Sequence, residues 1–207
     1  MERMKKGNKL SQKRKGLKIV LSSPSGGGKT TIAQRLLKRD KNIIRSVSCT
    51  TRKPRAGEKN GREYFFVSPA RFKSLVSRKA FLEWARVHDH CYGTPRRWVE
   101  NQLAQGKDVL FVIDVQGAKT LKSDDPQALL IFLNPPSYKV LKKRLMGRHS
   151  ECPEDLKVRL RNAKKEMRAG HHYDFQVVND RLEKAVSEVA KIIHTRRLKY
   201  KAVMQKG

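Results

Sequence analysis

The sequence predicts an α/β fold in which a parallel sheet carries helices on both faces, interrupted by a small β-rich insertion and an arginine-rich helical hairpin. Three observations support it. Outside residues 48–104, short apolar runs alternate with segments whose apolar residues recur at helical spacing. Two of those runs, within 108–114 and 128–133, are apolar without a break, as strands covered on both faces are. Between the first apolar run and the first helical stripe lies Ser23-Pro24-Ser25-Gly26-Gly27-Gly28-Lys29-Thr30, a strand, a turn and a helix in the order that builds a phosphate-binding loop.

Length and charge set the outer limits. The 207 residues are enough for one body with insertions. Apolar runs reach five to six residues, against roughly 20 for a helix that spans a bilayer. The basic N-terminus also lacks the apolar stretch of a signal peptide, so a cytoplasmic protein without membrane association is expected. Cys49, Cys91 and Cys152 show no C-x-x-C spacing, so neither a disulfide framework nor a zinc site is expected. Lysines and arginines number 48 against 19 aspartates and glutamates, a formal charge of +29. A field of that sign concentrates nucleotides and also attracts nucleic acid non-specifically. Residues 1–16 read as a disordered basic tail. The rest of the excess is spread along the chain, as a general compositional bias would also spread it. Monomer and homodimer are both compatible with the composition.

Each element has a local reason. Residues 17–21 form the first apolar strand, and Ile32, Ala33, Leu36 and Leu37 give a helix over 31–39 its apolar face. Residues 43–48 read as one short strand and 49–61 as loop. Residues 62–67 alternate into a strand. Ser68-Pro69 then supplies a cap and a first-turn proline for a helix striped by Phe72, Leu75 and Val76. A strand over 81–87 sets Phe81, Glu83 and Ala85 on one face, leaving Glu83 a lone carboxylate among apolar neighbours. His88-Asp89-His90-Cys91 reads as an exposed polar turn more readily than as a set of metal ligands. Thr94-Pro95 repeats the cap-and-proline start for a helix bearing Trp98, Val99 and Leu103. The buried strand at 108–114 ends on Asp114. Helices over 138–146 and 154–169 form the arginine-rich hairpin, a last strand covers 175–178, and Leu182, Ala185, Val186, Val189, Ile192 and Ile193 stripe the closing helix. Ligands of such sheets bind beyond the C-terminal ends of the strands, where the loop at 23–30 lies.

Phosphate is held by converging backbone N–H groups, which side chains would obstruct; Gly26, Gly27 and Gly28 remove that obstruction. Lys29 offers a point charge to the β- and γ-phosphates, Thr30 a hydroxyl to Mg²⁺, and the helix starting there the positive end of its dipole. Ser23 stands where the G-x-x-x-x-G-K-[ST] pattern opens on glycine.

Further stretches narrow the reading. They are Ser48-Cys49-Thr50-Thr51-Arg52-Lys53-Pro54-Arg55-Ala56-Gly57-Glu58 with Asn60-Gly61 and Tyr64, then Tyr92-Gly93-Thr94, Ile113-Asp114-Val115-Gln116-Gly117 and Val178-Asn179-Asp180. With the loop, they resemble guanylate kinase over about residues 17–191. The resemblance implies a P-loop NTPase-type parallel sheet and transfer of the γ-phosphoryl group of ATP to GMP, giving ADP and GDP, with Mg²⁺ accompanying ATP. It divides the chain into a core at 17–47, 105–138 and 170–207, a GMP-binding domain at 48–104 and a lid at 139–169. ATP binding is implied for Ser25, Gly26, Gly27, Gly28, Lys29, Thr30, Thr31, Arg144, Arg148 and Asn179. GMP binding is implied for Ser48, Arg52, Arg55, Tyr64, Glu83, Tyr92, Thr94 and Asp114. Lys29, Arg52, Asp114, Arg148 and Arg159 take the catalytic roles, and Thr30 the metal. Val112 stands where the family usually has a further aspartate, and Gly147-Arg148-His149 where it often has Gly-Arg-Gly.

The chemistry suits these residue types. Arg52 and Arg55 flank Pro54, so two guanidinium forks can face one dianionic phosphate; judged alone, the same residues describe a solvated basic loop. Guanine presents N1–H and N2–H₂ side by side, a pair that one carboxylate accepts together, and Glu83 left unpaired makes adenine costly. Asp114 can position phosphate or metal, or simply cap the next helix. Arginines on the hairpin can close over a triphosphate and exclude water, or form an ordinary solvated helix face. Two other functions compete: a guanylate-kinase-like module that binds peptides, and nucleic-acid binding driven by charge. The intact loop argues against the first, and the lack of any helix-turn-helix, RRM or zinc pattern against the second.

Overall fold

The computed structural model describes residues 15–87, 89–146 and 153–204. The expected basic tail lies almost wholly outside them, as do Arg148 and Cys152. In chain order, the first half comprises β1 (Lys18–Ser22), α1 (Lys29–Arg39), β2 (Ile43–Arg45), β3 (Ser48–Thr50), β4 (Tyr64–Phe66), α2 (Pro69–Ser77), β5 (Phe81–Val87) and β6 (His90–Pro95). The second half comprises α3 (Arg96–Ala104), β7 (Asp108–Val112), α4 (Val115–Asp124), β8 (Leu129–Asn134), α5 (Tyr138–Met146), α6 (Pro153–Ala169), β9 (Phe175–Val178) and α7 (Leu182–Met204), with a 3₁₀ turn at Gly170–His172.

Five parallel strands form the central sheet in the order β2-β7-β1-β8-β9. Its two faces are separated by the two-residue period of the strands. Ile19, Leu21, Leu110, Leu129 and Ile131 pack with Ile32 and Leu36 of α1 and with Ala185, Val189 and Ile193 of α7. Their neighbours Val20, Val109, Phe111 and Leu130 turn the other way, onto Val99 and Leu103 of α3 and Ala118 and Leu121 of α4. Continuous apolar strands are thus explained by helices on both sides. Helix α3, which the sequence assigns to the insertion, packs on the central sheet.

The insertion builds a second sheet in the order β4-β3-β6-β5. Its small core joins Cys49, Phe72 and Phe81 to Phe65, Leu75 and Val76. Ser68 caps α2 as expected, its hydroxyl accepting the Arg71 N–H at 3.2 Å with Pro69 in the first turn.

Three local expectations change. The single strand expected over 43–48 is two: β2 pairs with β7, and β3 pairs with β4 and β6, so the chain crosses between sheets at Ser46-Val47. The polar reading of 88–91 changes at its end, where His90 pairs with Val87 and opens β6; His88 lies outside the described residues. Thr94-Pro95 does not repeat the cap-and-proline start, because both residues end β6 and Pro95 precedes α3 without any side-chain cap. The Thr94 hydroxyl is committed to Glu83 instead.

At the edge of the central sheet away from the loop, Asp108 is completely buried. Its carboxylate accepts the Leu17 N–H at 2.8 Å and Arg197 Nε at 2.6 Å, while Arg197 Nη1 donates to Asp40 at 2.6 Å. This buried ion network fastens the C-terminal half of α7 to β7 and to the end of α1.

Candidate functional site

The loop leaves β1 at its C-terminal end, and its path follows from its residues. Gly26 (φ 80°) and Gly28 (φ 95°) hold left-handed backbone, which residues with a Cβ avoid. Ser23 has no such φ, so the turn does not need glycine there; its hydroxyl donates to the Pro24 carbonyl at 2.8 Å. The Gly27 N–H closes the turn on the same carbonyl at 2.9 Å. Helix α1 starts at Lys29, two residues before the expected start at 31, with Thr30 and Thr31 exposed in its first turn. Lys29 Nζ donates to the Ser23 carbonyl at 2.7 Å.

Two later segments hold this loop. Asn179, after β9, donates its side-chain N–H to the Gly27 carbonyl at 2.9 Å, and Arg144 of α5 donates to the Asn179 carbonyl at 3.2 Å. From α6, Glu166 accepts the Ser25 N–H at 3.3 Å.

Facing the loop, a cavity of about 170 Å³ is lined by Lys29, Ser48, Tyr64, Glu83, Tyr92 and Asp114, with Val112 and Ile113 among its apolar walls. Lys29 comes from the start of α1, Ser48, Tyr64, Glu83 and Tyr92 from β3, β4, β5 and β6, and Asp114 from the connection between β7 and α4. Glu83 is 4% exposed. Thr94 Oγ1 donates to Glu83 Oε1 at 2.5 Å, and Ser48 Oγ lies 3.2 Å from Thr94 Oγ1. Burial pushes the Glu83 carboxyl up to about 7; the Thr94 hydrogen bond opposes that rise and the nearby Asp114 charge adds to it.

Tyr64 and Tyr92 meet edge to face, 5.9 Å between centroids, and the Arg52 guanidinium sits 5.5 Å from the Tyr64 ring centroid. Arg52 is fixed by Glu58, whose two oxygens accept from Nη2 at 2.8 and 2.9 Å, and by the Lys53 carbonyl at 2.7 Å. The same pairing holds the Glu58 carboxyl below the usual carboxylate range, chiefly through the Arg52 hydrogen bond. Arg55 donates its backbone N–H to Glu58 at 2.8 Å, but its side chain is exposed and outside the cavity lining.

Asp114 is the N-cap of α4, accepting the Gly117 N–H at 2.9 Å. It also lines a second cavity of about 330 Å³ with Ser25, Gln116, Arg159, Lys165 and Glu166. Asp114 thus stands on the wall between the two cavities, while serving as a cap. Among the described residues no cluster of three or more His, Cys, Asp or Glu is arranged to hold a metal.

Two residues of this arrangement escaped the sequence reading. Glu58 was visible only as part of a motif, although its contact with Arg52 needs the 52–58 loop to fold back on itself. Glu166 carried one usable signal, being the sole carboxylate over 156–169 in a helix of lysines and arginines.

A family model described as guanylate kinase matches residues 15–196. The guanylate kinase of Polaromonas sp. is 47% identical over 184 residues, covering 89% of this chain and 89% of that protein. That of Rickettsia felis is 44% identical over 190 residues, covering 92% and 99%, and that of Thermotoga maritima 46% identical over 185 residues, covering 89% of each. Among solved structures, guanylate kinase from Anaplasma phagocytophilum superimposes with a TM-score of 0.74 at 35% identity, covering 88% of this chain and 87% of that one.

Proposed function

The chain belongs to the guanylate kinase family, and from that premise we propose how its residues carry out the family's reaction, transfer of the γ-phosphoryl group of ATP to GMP. The observation that carries the assignment is one shared cavity, in which Lys29 of the donor loop faces Glu83, Ser48, Tyr64 and Tyr92 of the second sheet. Two nucleotides entering from opposite sides would meet there with their phosphates together.

On the donor side, the backbone of Ser25, Gly26, Gly27 and Gly28 and the start of α1 cradle the ATP phosphates. Lys29 leaves the Ser23 carbonyl for the β- and γ-phosphates, and Thr31 and Asn179 border the nucleotide. On the acceptor side, Arg52, Arg55, Tyr64 and Tyr92 bind the GMP phosphate. Arg55, exposed on the 52–58 loop, turns inward only with the ligand. Glu83, with Thr94 and Ser48 behind it, accepts the guanine N1–H and N2–H₂ pair. Asp114 orients the phosphate between the two sides. No general base is required, because the GMP phosphate is itself the nucleophile. Catalysis then rests on alignment and on cations that meet the developing charge. Arg144, Arg148 and Arg159 supply those cations from the hairpin, which acts as the lid and keeps water from competing.

Mg²⁺ fits this donor set. It prefers oxygen ligands, retains several waters and takes few protein groups when phosphates are present, and the exposed Thr30 hydroxyl is one such group. When bound, Mg²⁺ neutralises charge on the β- and γ-phosphates. We divide the chain into the core (17–47, 105–138 and 170–207), the GMP-binding domain from 48 and the lid (139–169). The packing of α3 supports ending the GMP-binding domain near 95 instead of 104. No helix among the described residues is long and apolar enough to cross a membrane. A cytoplasmic setting accords with that and with the thiols of Cys49 and Cys91, both unpaired. The +29 charge supports weak, salt-sensitive attraction of nucleic acid beside the kinase reaction.

Coupled ADP release with MgATP tests the assignment. GMP is expected to be the preferred acceptor over AMP and CMP, and Lys29→Ala to lower turnover by about a thousandfold or more. Faster phosphorylation of AMP or CMP, or equal turnover by the Lys29→Ala protein, would overturn it.

A further inference from the structure

Gly117 occupies the first turn of α4, where that helix packs against β5, and it has no side chain at the point where the Glu83 carboxylate comes closest. A Cβ built on Gly117 would lie 2.7 Å from Glu83 Oε2 and 3.4 Å from its Cδ. Carbon and oxygen do not approach so closely without one of them moving. The backbone of Gly117 has no positive φ, so glycine is not needed there for its conformation. What distinguishes the position is the space it leaves.

That space is bounded on every side that matters. Glu83 Oε1 is held by Thr94 Oγ1 at 2.5 Å, and Thr94 is in turn beside Ser48. Glu83 is 4% exposed, so its carboxylate has little room to rotate away. The Gly117 N–H is itself donated to Asp114 at 2.9 Å. Gly117 therefore sits between the two carboxylates of the acceptor cavity, bonded to one through its backbone and leaving room for the other.

We infer that Gly117 is a positioning residue for acceptor specificity: its missing side chain lets Glu83 sit deep enough, and at the right angle, to accept two adjacent N–H donors of a purine edge. The inference rests on the reading of Glu83 as the guanine contact and adds a determinant on a different element. Any side chain at 117 pushes Oε2 away from α4 while Oε1 stays anchored. That tilts the carboxylate and spoils the paired geometry without removing the charge. The step that suffers is recognition of the base, since Gly26, Gly27 and Gly28 of the donor loop do not line the cavity of Glu83.

Steady-state kinetics of Gly117→Ala, Glu83→Asp, Glu83→Gln and the Gly117→Ala/Glu83→Asp double variant test this. Alanine is the better helix former, which offsets part of the crowding against Glu83, so Gly117→Ala is expected to stay folded and to melt only a few degrees below the parent protein at most. Its KM for GMP is expected to rise at least tenfold and its preference for GMP over AMP to narrow by a similar factor, with KM for ATP changing less than twofold. The shorter aspartate does not reach the space at 117, so adding Gly117→Ala to Glu83→Asp is expected to change KM for GMP less than twofold, a coupling that simple loss of structure would not produce. A KM for GMP within twofold of the parent in Gly117→Ala, or an equal rise in both backgrounds at position 83, overturns the inference. If Glu83→Gln leaves KM for GMP unchanged, the assignment of Glu83 to guanine fails, and the inference with it.

Discussion

The Asn179 side chain donates to the carbonyl of Gly27 at 2.9 Å, and a Cβ on the next residue, Gly28, would run into that same amide. A residue from the far end of the chain is thus built into the donor loop, and the loop's glycine at 28 serves that contact as well as its own left-handed backbone. Arg144 adds a bond to the Asn179 carbonyl from α5. The hairpin, the last strand and the loop are therefore connected through one asparagine.

Replacing it separates two roles. Asn179→Ala removes a hydrogen bond of about 1 kcal/mol and frees the Gly27 carbonyl. KM for ATP is expected to rise about three- to tenfold with KM for GMP nearly constant. If Asn179 acts by holding the loop, the rise is the same for every nucleoside triphosphate tested as donor. A defect confined to ATP would instead mean direct contact with adenine.

Glu58 orders Arg52 by accepting two hydrogen bonds from one guanidinium nitrogen. Hydrogen bonds to charged groups are worth about 1.5–3 kcal/mol, so Glu58→Gln is expected to raise KM for GMP about tenfold or more while leaving KM for ATP unchanged. Arg52→Lys loses the planar fork altogether and is expected to cost more, on the order of a hundredfold in kcat/KM for GMP. An unchanged KM for GMP in Glu58→Gln would mean that the Lys53 carbonyl and the Tyr64 and Phe66 rings, whose centroids lie 5.5 and 5.9 Å from the guanidinium, hold Arg52 without Glu58.

Glu83 gives the acceptor site a pH dependence with a definite sign. Burial, opposed by Thr94 and aided by Asp114, lifts its carboxyl from 4.5 to about 7. In the proposed role of Glu83, guanine's paired donors need the ionised form, so kcat/KM for GMP is expected to fall as pH drops through about 7. The second ionisation of a phosphate, near ~6, produces its own fall, so Glu83→Gln is the control: it should retain only the lower inflection. Stability runs the other way. A carboxyl whose folded value is raised stabilises the fold fully below 4.5 and loses that contribution as pH rises through about 7. Glu83→Gln should therefore gain on the parent protein between pH ~5 and ~8.5, by about 3 kcal/mol at most. Parallel melting curves across that range would count against the buried charge.

How much of this was legible depended on how local each cause was. The central sheet declared itself because Val20, Leu110 and Ile131 are strand residues buried on both faces, and that burial leaves an unbroken apolar run. The donor loop declared itself because Gly26 and Gly28 need backbone that only glycine adopts readily. The crossing between sheets at Ser46-Val47 left no trace, since two three-residue strands in different sheets have the same composition as one of six. Thr94 misled for a related reason: a threonine before a proline has the composition of a cap, and only the pairing of β5 with β6 turns its hydroxyl toward Glu83. Glu83 was visible as an oddity in an apolar strand, but the space at Gly117 that admits it depends on how α4 packs, which no spacing in the sequence encodes.

The same holds for the network at the other end of β7, which gives a prediction about stability alone. Asp108 is fully buried, with one carboxylate oxygen on the Leu17 N–H and the other on Arg197 Nε, and Arg197 also reaches Asp40. Arg197 Nη2 is buried without a partner among the described residues, so the arrangement is imperfect and its net value as an ion pair is modest. Breaking it is a different matter, because Arg197→Met takes the guanidinium away from a carboxylate that is fully buried. A loss of about 3–5 kcal/mol is expected, or roughly 10 °C in melting temperature for a chain of this size. Adding Asp108→Asn removes the buried charge while an amide oxygen can still accept the Leu17 N–H, so the double variant should recover more than half of that loss. Asp108 begins β7 and Asp114 follows its end, which puts the network across the length of the sheet from the nucleotide cavities. Both variants, assayed well below their melting temperatures, are expected to keep KM for ATP and GMP within about twofold of the parent protein. A double variant no more stable than Arg197→Met would mean that packing of α7, and not the buried charge, is what Arg197 secures.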